Sequence, residues 1–149
     1  MKSSFWLFGS KLSILEREEN TESEFDLIEG LFLPASQSPV HVHSKYTETF
    51  YVLAGEVTIY TPGQATVLQV GETFLIPKNV PHSIGNNSDE EPFTALCITT
   101  PSGFAKLIRS VGFEVSDENP PERPHDMVLA AQICDEIGDI ILGPPGARP

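Results

Sequence analysis

Cysteine is scarce in this chain: two among 149 residues, Cys97 and Cys134, far apart and without a C-x-x-C spacing. That pattern excludes a cysteine metal knuckle and a dithiol redox motif. Both thiols are expected to be buried and inert. Basic residues are also few, 9 Lys and Arg against 21 Asp and Glu, for a formal charge of −12. A field of that sign repels phosphate backbones and anionic lipid, so neither nucleic acid nor membrane is an expected partner. No stretch approaches the roughly 20 apolar residues of a membrane span. The opening "MKSSFWLFGSKL" has a short apolar patch that breaks at Gly9-Ser10-Lys11. The break comes too soon for a signal-peptide core, and no small-residue cleavage site follows. A reducing cytoplasm is therefore the expected location.

What is present is an ordinary globular composition, 40% hydrophobic and 20% charged, with enough length for one domain over 1–149 and a real core. Residues 5–101 read as short strands rich in Val, Ile, Thr, Phe and Tyr, separated by turn chemistry. "FWLFGSKLSILERE" suggests a strand pair bent at Gly9-Ser10, and "EFDLIEGLFLPAS" a further strand ending at Pro34. "ETFYVLAGEVTIYTPGQATVLQVGETFLIP" carries three strand-like runs punctuated by Gly55, Pro62-Gly63 and Gly71. "PGQ" reads as a hairpin turn, and "EPFTALCITT" closes the series. The spacing predicts an all-β sandwich or barrel.

Residues 102–149 change character. "SGFAKLIRSVGF" has apolar residues at 104, 107, 108 and 111, a helical spacing, with Ser102 able to cap its start. "SDENPPERP" is a polar, proline-rich loop. "HDMVLAAQICDEIG" predicts a second helix burying Met127, Ala130, Ala131, Cys134 and Ile137 and ending at Gly138. "DIILGPP" is a short extended piece. A helical cover over the barrel follows.

Histidine is also scarce, four in all, and three of the four fall within residues 41–82. His41 and His43 have a strand's period of two, so both face one side. Glu48 opens the next apolar run, and His82 arrives in "GETFLIPKNVPHSIGN". Neutral imidazoles with one carboxylate suit a divalent transition metal such as Fe, Mn, Ni, Cu or Zn. Such a set leaves positions open for water or substrate. Counting by two from Glu48 puts Phe50 and Val52 on the ligand face; the same parity from His82 adds Ile84 and Asn86. These four are the expected wall of a small-molecule pocket. Tyr51 alternates outward, toward the helical cover or a partner chain. Lys45 and Tyr46 read as solvated loop residues, and His125 as an ordinary residue at a helix start.

Residues 41–55 run H-V-H-x4-E-x6-G, and residues 71–86 run G-x5-P-x-N-x2-H-x3-N. The pair resembles the two motifs of the cupin superfamily. The opening aromatic-glycine strand, "TPSGFAKLIRSVG" and "DEIGDIILGPP" are similar to small one-barrel bacterial cupins of the quercetin 2,3-dioxygenase-like kind. The resemblance implies a double-stranded β-helix, or jelly-roll barrel, with a short C-terminal helical extension. It also implies His41, His43, Glu48 and His82 as metal ligands, with Glu48 doubling as a base toward a substrate hydroxyl. Two glycines of the pattern are replaced: Asn79 tolerates the left-handed backbone its turn needs, whereas Ala35 puts the turn before the first ligand strand under question.

The resemblance implies a homodimer too, with "SSFWLF" as a natural contributor. It leaves the reaction open, because the fold hosts many chemistries. A metal-dependent dioxygenase acting on a small aromatic or enolic molecule leads. A non-oxidative isomerase or lyase and a non-catalytic small-molecule binder are the alternatives. Polar residues near Asn86 and Thr73 would favour the non-oxidative reading; an aromatic wall would favour the oxygenase.

Overall fold

In the computed structural model, residues 2–16 and 18–149 are described; Met1 and Arg17, at the edges of the first strand pair as read from sequence, lie outside them. The chain opens with strands β1 (Ser3–Leu7) and β2 (Ser10–Ile14), a short helix α1 (Glu18–Thr21) and strand β3 (Asp26–Phe32). Strands β4 (His41–His43), β5 (Thr47–Ala54), β6 (Val57–Thr61) and β7 (Gln64–Leu68) follow, then β8 (Thr73–Ile76), β9 (Ser83–Gly85) and β10 (Phe93–Thr100). The C-terminal part holds α2 (Phe104–Val111), β11 (Phe113–Glu114), α3 (Met127–Ile137) and β12 (Asp139–Ile141). The stretch from Thr47 to Ile76 thus holds four strands where the composition suggested three runs.

The strands form a double-stranded β-helix. One sheet has the order β11-β1-β2-β3-β10-β5-β8, all antiparallel. Facing it are β7-β6-β9 and the pair β12-β4. Two bridges, Gln37 with Gly85 and His41 with His82, join these last two groups into one layer. Period-two alternation explains why the residues sort as they do. Along β5, Glu48, Phe50 and Val52 are buried while Tyr51 and Leu53 face out; along β10, Phe93, Ala95, Cys97 and Thr99 are buried. The inner faces of both sheets meet in one apolar core that includes Ile28, Phe50, Val57, Ile59, Ile76 and Phe93. Burying such side chains contributes ~1.5–3 kcal/mol each.

Two turns carry the positions where glycine was expected. Ala35 has φ 61° and Asn79 φ 64°, so both hold the left-handed conformation the turns require. Asn tolerates that region; Ala does so at a cost of about 1–2 kcal/mol. Gly55 (φ +76°) cannot be replaced without trouble, since a Cβ there would lie 2.7 Å from the Pro92 carbonyl.

The tail covers the barrel with two corrections to expectation. The buried face of α3 is Ala130, Ile133 and Ile137, with Cys134 partly buried, while Met127 and Ala131 are exposed; the stripe is rotated because Ile133, at i+3 from Ala130 and i−4 from Ile137, sits at its centre. Ser102 does not cap α2. The cap residue is Gly103 without a side-chain bond. Instead Asp26 of β3, buried, accepts from Gly103 N, Ala105 N, Ser102 Oγ and Thr99 Oγ1. A carboxylate on the neighbouring strand serves the helix N-terminus better than a local hydroxyl because it also meets the helix dipole. Among the described residues no helix is long and apolar enough to cross a membrane.

Candidate metal centre

Strand β4 is three residues long, and its first and last side chains are imidazoles. His41 also forms a reciprocal backbone pair with His82, N to O 3.0 Å in both directions. That pairing places the third imidazole beside the first two. One ring nitrogen from each of His41, His43 and His82 lies within 4.8 Å of the others. All three Nδ1 atoms are engaged: His41 Nδ1 donates to Pro39 O (2.8 Å), His82 Nδ1 to Val80 O (2.9 Å), and His43 Nδ1 to Asp139 Oδ1 (2.6 Å). The Nε2 atoms of His43 and His82 are buried and have no hydrogen-bond partner among the described residues. Buried polar atoms are seldom left so, and a cation held between them would engage both.

Glu48 reaches the same place from β5. Its Oε2 is 3.0 Å from His43 Nε2 without the alignment of a hydrogen bond. Two donor atoms each ~2.1 Å from one ion and at right angles to each other are separated by about 3.0 Å. The residues therefore fit a divalent transition ion: three imidazoles facing inward, with a carboxylate next to one of them.

The charges follow from burial and neighbours. Burial, together with His43, lowers His41; burial and the neighbouring His41 lower His82 to about 4. Burial would lower His43 as well, but its hydrogen bond to Asp139 and the adjoining Glu48 outweigh that and raise it to about 9. Burial pushes Glu48 up, and His43 beside it more than reverses this, holding it near 2. Without an ion, then, one proton on His43 sits between two carboxylates. Burial raises the thiols of Cys97 and Cys134, which are both free.

The histidines and Glu48 lie at one side of a cavity of about 240 Å³. Phe50 and Ile84 line it, along with Phe8, Phe32, Phe93 and Phe104. Val52 and Asn86 do not. Val52 has the expected parity but lies deeper in the core, opposite Ala95. The Asn86 side-chain amide donates to Phe32 O, Leu33 O and Glu91 O, so it is spent on holding a loop. Thr73 is exposed. Among the described residues neither lysine nor arginine lines the cavity; the polar contributors away from the histidines are Ser10, Ser36, Gln37 and Ser38.

Two residues escaped sequence reasoning. Tyr46 is buried, not solvated: its ring stacks on His43 with centroids 4.4 Å apart, and its hydroxyl donates to Asp139 (2.7 Å). Asp139 itself arrives on β12, paired with β4. A tyrosine following Ser-Lys in a loop carries no local sign of burial, and Asp139 is one of 21 acidic residues. Lys45 does remain exposed, bonding to Glu136 O. His125 is engaged elsewhere, accepting from Phe8 N and donating to Val111 O.

Known proteins resemble this chain as follows. Residues 30–99 match a family model described as a cupin domain. A quercetin 2,3-dioxygenase of Bacillus subtilis is 29% identical over 107 residues, which cover 71% of this chain and 31% of that protein. The chain thus spans about a third of the length of this curated relative. A crystal structure of a cupin-like protein from Thermotoga maritima superposes with a TM-score of 0.58 at 22% identity, covering 68% of this chain and 79% of that one. An RmlC-like cupin from Shewanella frigidimarina gives 0.59 at 20% identity, covering 68% and 86%.

Proposed function

We propose that this chain, whose residues 30–99 match a cupin domain model, is a metal-dependent, dioxygenase-like enzyme for a small aromatic or enolic molecule. The observation that carries this reading is the cavity wall: five phenylalanines and no lysine or arginine among the described residues, beside the histidine triad. A wall of that kind orients a flat apolar ring. It offers no counter-charge to a sugar phosphate or a dicarboxylate, which the non-oxidative reactions of polar metabolites would need. The volume, about 240 Å³, falls below the roughly 300–1,000 Å³ of drug-sized pockets, so the occupant is a molecule of one or two rings. The likeness to a quercetin dioxygenase points the same way.

In this reading His41, His43, His82 and Glu48 hold a divalent ion, which supplies Lewis acidity toward a substrate oxygen and redox access to O2. Phe50 and Ile84 hold the ring of the substrate. Glu48, ionised and beside a cation that would keep it so, takes a proton only from a hydroxyl that is itself strongly acidified; an enol is such a group, an ordinary alcohol is not. Its second carboxylate oxygen is free for that role. The apolar wall excludes water from the reacting carbon. We place the protein in the cytoplasm as a homodimer, with Tyr51, Leu53 and Leu75, exposed on β5 and β8, as an apolar contact surface.

The test is oxygen consumption by the Fe-, Mn-, Ni- and Cu-loaded protein against a panel of one- and two-ring enols and catechols. At least one pairing should turn over, and Glu48→Gln should suppress it while retaining the ion. Silence across the whole matrix would overturn the oxygenase reading.

A further inference from the structure

We propose that Asp139 is the positioning residue of this centre: its carboxylate fixes the ring of His43 so that Nε2 faces the ion. The proposal rests on the reading of the triad as a metal site. It starts from an asymmetry among the three imidazoles. His41 and His82 are each oriented by a carbonyl two residues earlier in their own segment, Pro39 O and Val80 O. His43 has no such local partner. Its Nδ1 is held at 2.6 Å by a carboxylate 96 positions away in the chain.

The fold is arranged to bring that carboxylate there. Gly138 (φ +80°) ends α3 in the left-handed conformation, and a Cβ there would collide with the Ser44 and Lys45 side chains. The chain then leaves directly into β12, whose register sets Asp139 opposite His43. Backbone bonds flank the contact on both sides, Ser44 N to Gly138 O at 2.8 Å and Leu142 N to Val40 O at 2.7 Å. Tyr46 then locks the carboxylate from its other side, donating to the same Oδ1 at 2.7 Å while its ring stacks on His43. The C-terminal segment is in this way part of the centre, and not only a cover.

Two consequences follow for binding. A free neutral imidazole favours its proton on Nε2, the atom a metal needs bare; an acceptor at Nδ1 reverses that preference. The charges also close. A divalent ion, the Glu48 carboxylate and the Asp139 carboxylate sum to zero inside a low-dielectric barrel, where an unbalanced charge is costly.

The experiment compares the full chain with Asp139→Ala, Asp139→Asn and Ile140→Ala, the last an outward residue of the same strand. Metal-free protein is titrated with cobalt(II) against a competing chelator at one alkaline pH for all variants, where imidazoles are largely neutral. Asp139→Ala should bind cobalt about 10–100-fold more weakly, and Asp139→Asn, which keeps the shape without the charge, should fall between. At the same alkaline pH, the His43 ¹⁵N signals of metal-free protein should move from the Nδ1–H to the Nε2–H tautomer in Asp139→Ala. Ile140→Ala should leave affinity and tautomer as they are. Wild-type cobalt affinity in both Asp139 variants, or an unchanged His43 tautomer in Asp139→Ala, would overturn the proposal alone. Should the unmodified protein fail to bind cobalt, the metal reading falls and this proposal with it. If Asp139→Ala does not fold, the affinity of Asp139→Asn decides.

Discussion

Metal uptake by this protein should expel a proton, and the structure says from where. In the metal-free centre His43 lies between Asp139 at 2.6 Å and Glu48 at 3.0 Å and is raised to about 9, while burial keeps His82 near 4 and lowers His41. At neutral pH one proton occupies Nε2 of His43, the lone pair an ion requires. Two pH units below 9, only about one molecule in a hundred has that lone pair bare, so the apparent affinity at pH 7 is ~100-fold, or ~2.7 kcal/mol, below its limiting value. The affinity should climb about tenfold per pH unit from ~6.5 to ~9 and then level off; at lower pH the protons that His41 and His82 take up make the slope steeper.

Stability without metal should move in the opposite sense. A histidine raised from 6.5 to about 9 contributes up to ~3 kcal/mol, fully present below 6.5 and lost as pH rises through 9. The depression of Glu48 from 4.5 to about 2 belongs to the same ion pair and is not added; its contribution is present above 4.5 and disappears as pH falls toward 2. Chelator-treated protein should therefore lose thermal stability between about pH 7 and 10, and the ion should restore it. The direct assay is calorimetric titration with zinc in two buffers of different ionisation heat. About one proton should leave per ion at pH 7 and almost none near pH 10. An affinity that stays flat from pH 6 to 9, with no proton released, would refute the placement of charge between Asp139 and Glu48.

Three further outcomes are expected. His41→Ala and His82→Ala should each purify with sharply reduced metal content by elemental analysis; wild-type stoichiometry in both would refute their role as ligands. Asp26→Ala removes a buried acceptor of four hydrogen bonds and should cost about 3 kcal/mol or more, a fall in Tm of roughly 6–12 °C by calorimetry. Ala35→Gly should stabilise by up to ~1 kcal/mol in denaturant titration, because the φ of 61° strains alanine by more than the added chain entropy of glycine costs.

The legibility of this protein divides along the range of the interactions involved. His41 and His43 could be read as a pair because a strand's period of two is local. The turns at Ala35 and Asn79 survive the loss of glycine because a left-handed backbone is costly for these residues but not forbidden. Parity also assigned Phe50, Val52, Ile84 and Asn86 to the inside, yet parity carries no depth. Only the folded sheets separate Phe50 and Ile84, which meet the cavity, from Val52 in the packed core and Asn86 beneath a loop. The partners that fix His43 are a different matter. Tyr46 and Asp139 lie 93 positions apart, and no periodicity links a loop tyrosine to an acidic residue after a helix cap. What joins them is topology: β12 has to find β4, and it does so because α3 docks on α2 and ends at Gly138, one residue before the aspartate. The same reasoning separates two kinds of residue at the centre. Ligands on strands can be inferred from spacing because the strand itself aims them. The groups that aim the ligands come from wherever the chain returns, so in a barrel whose tail folds back over its own site, the tail is where to look for them.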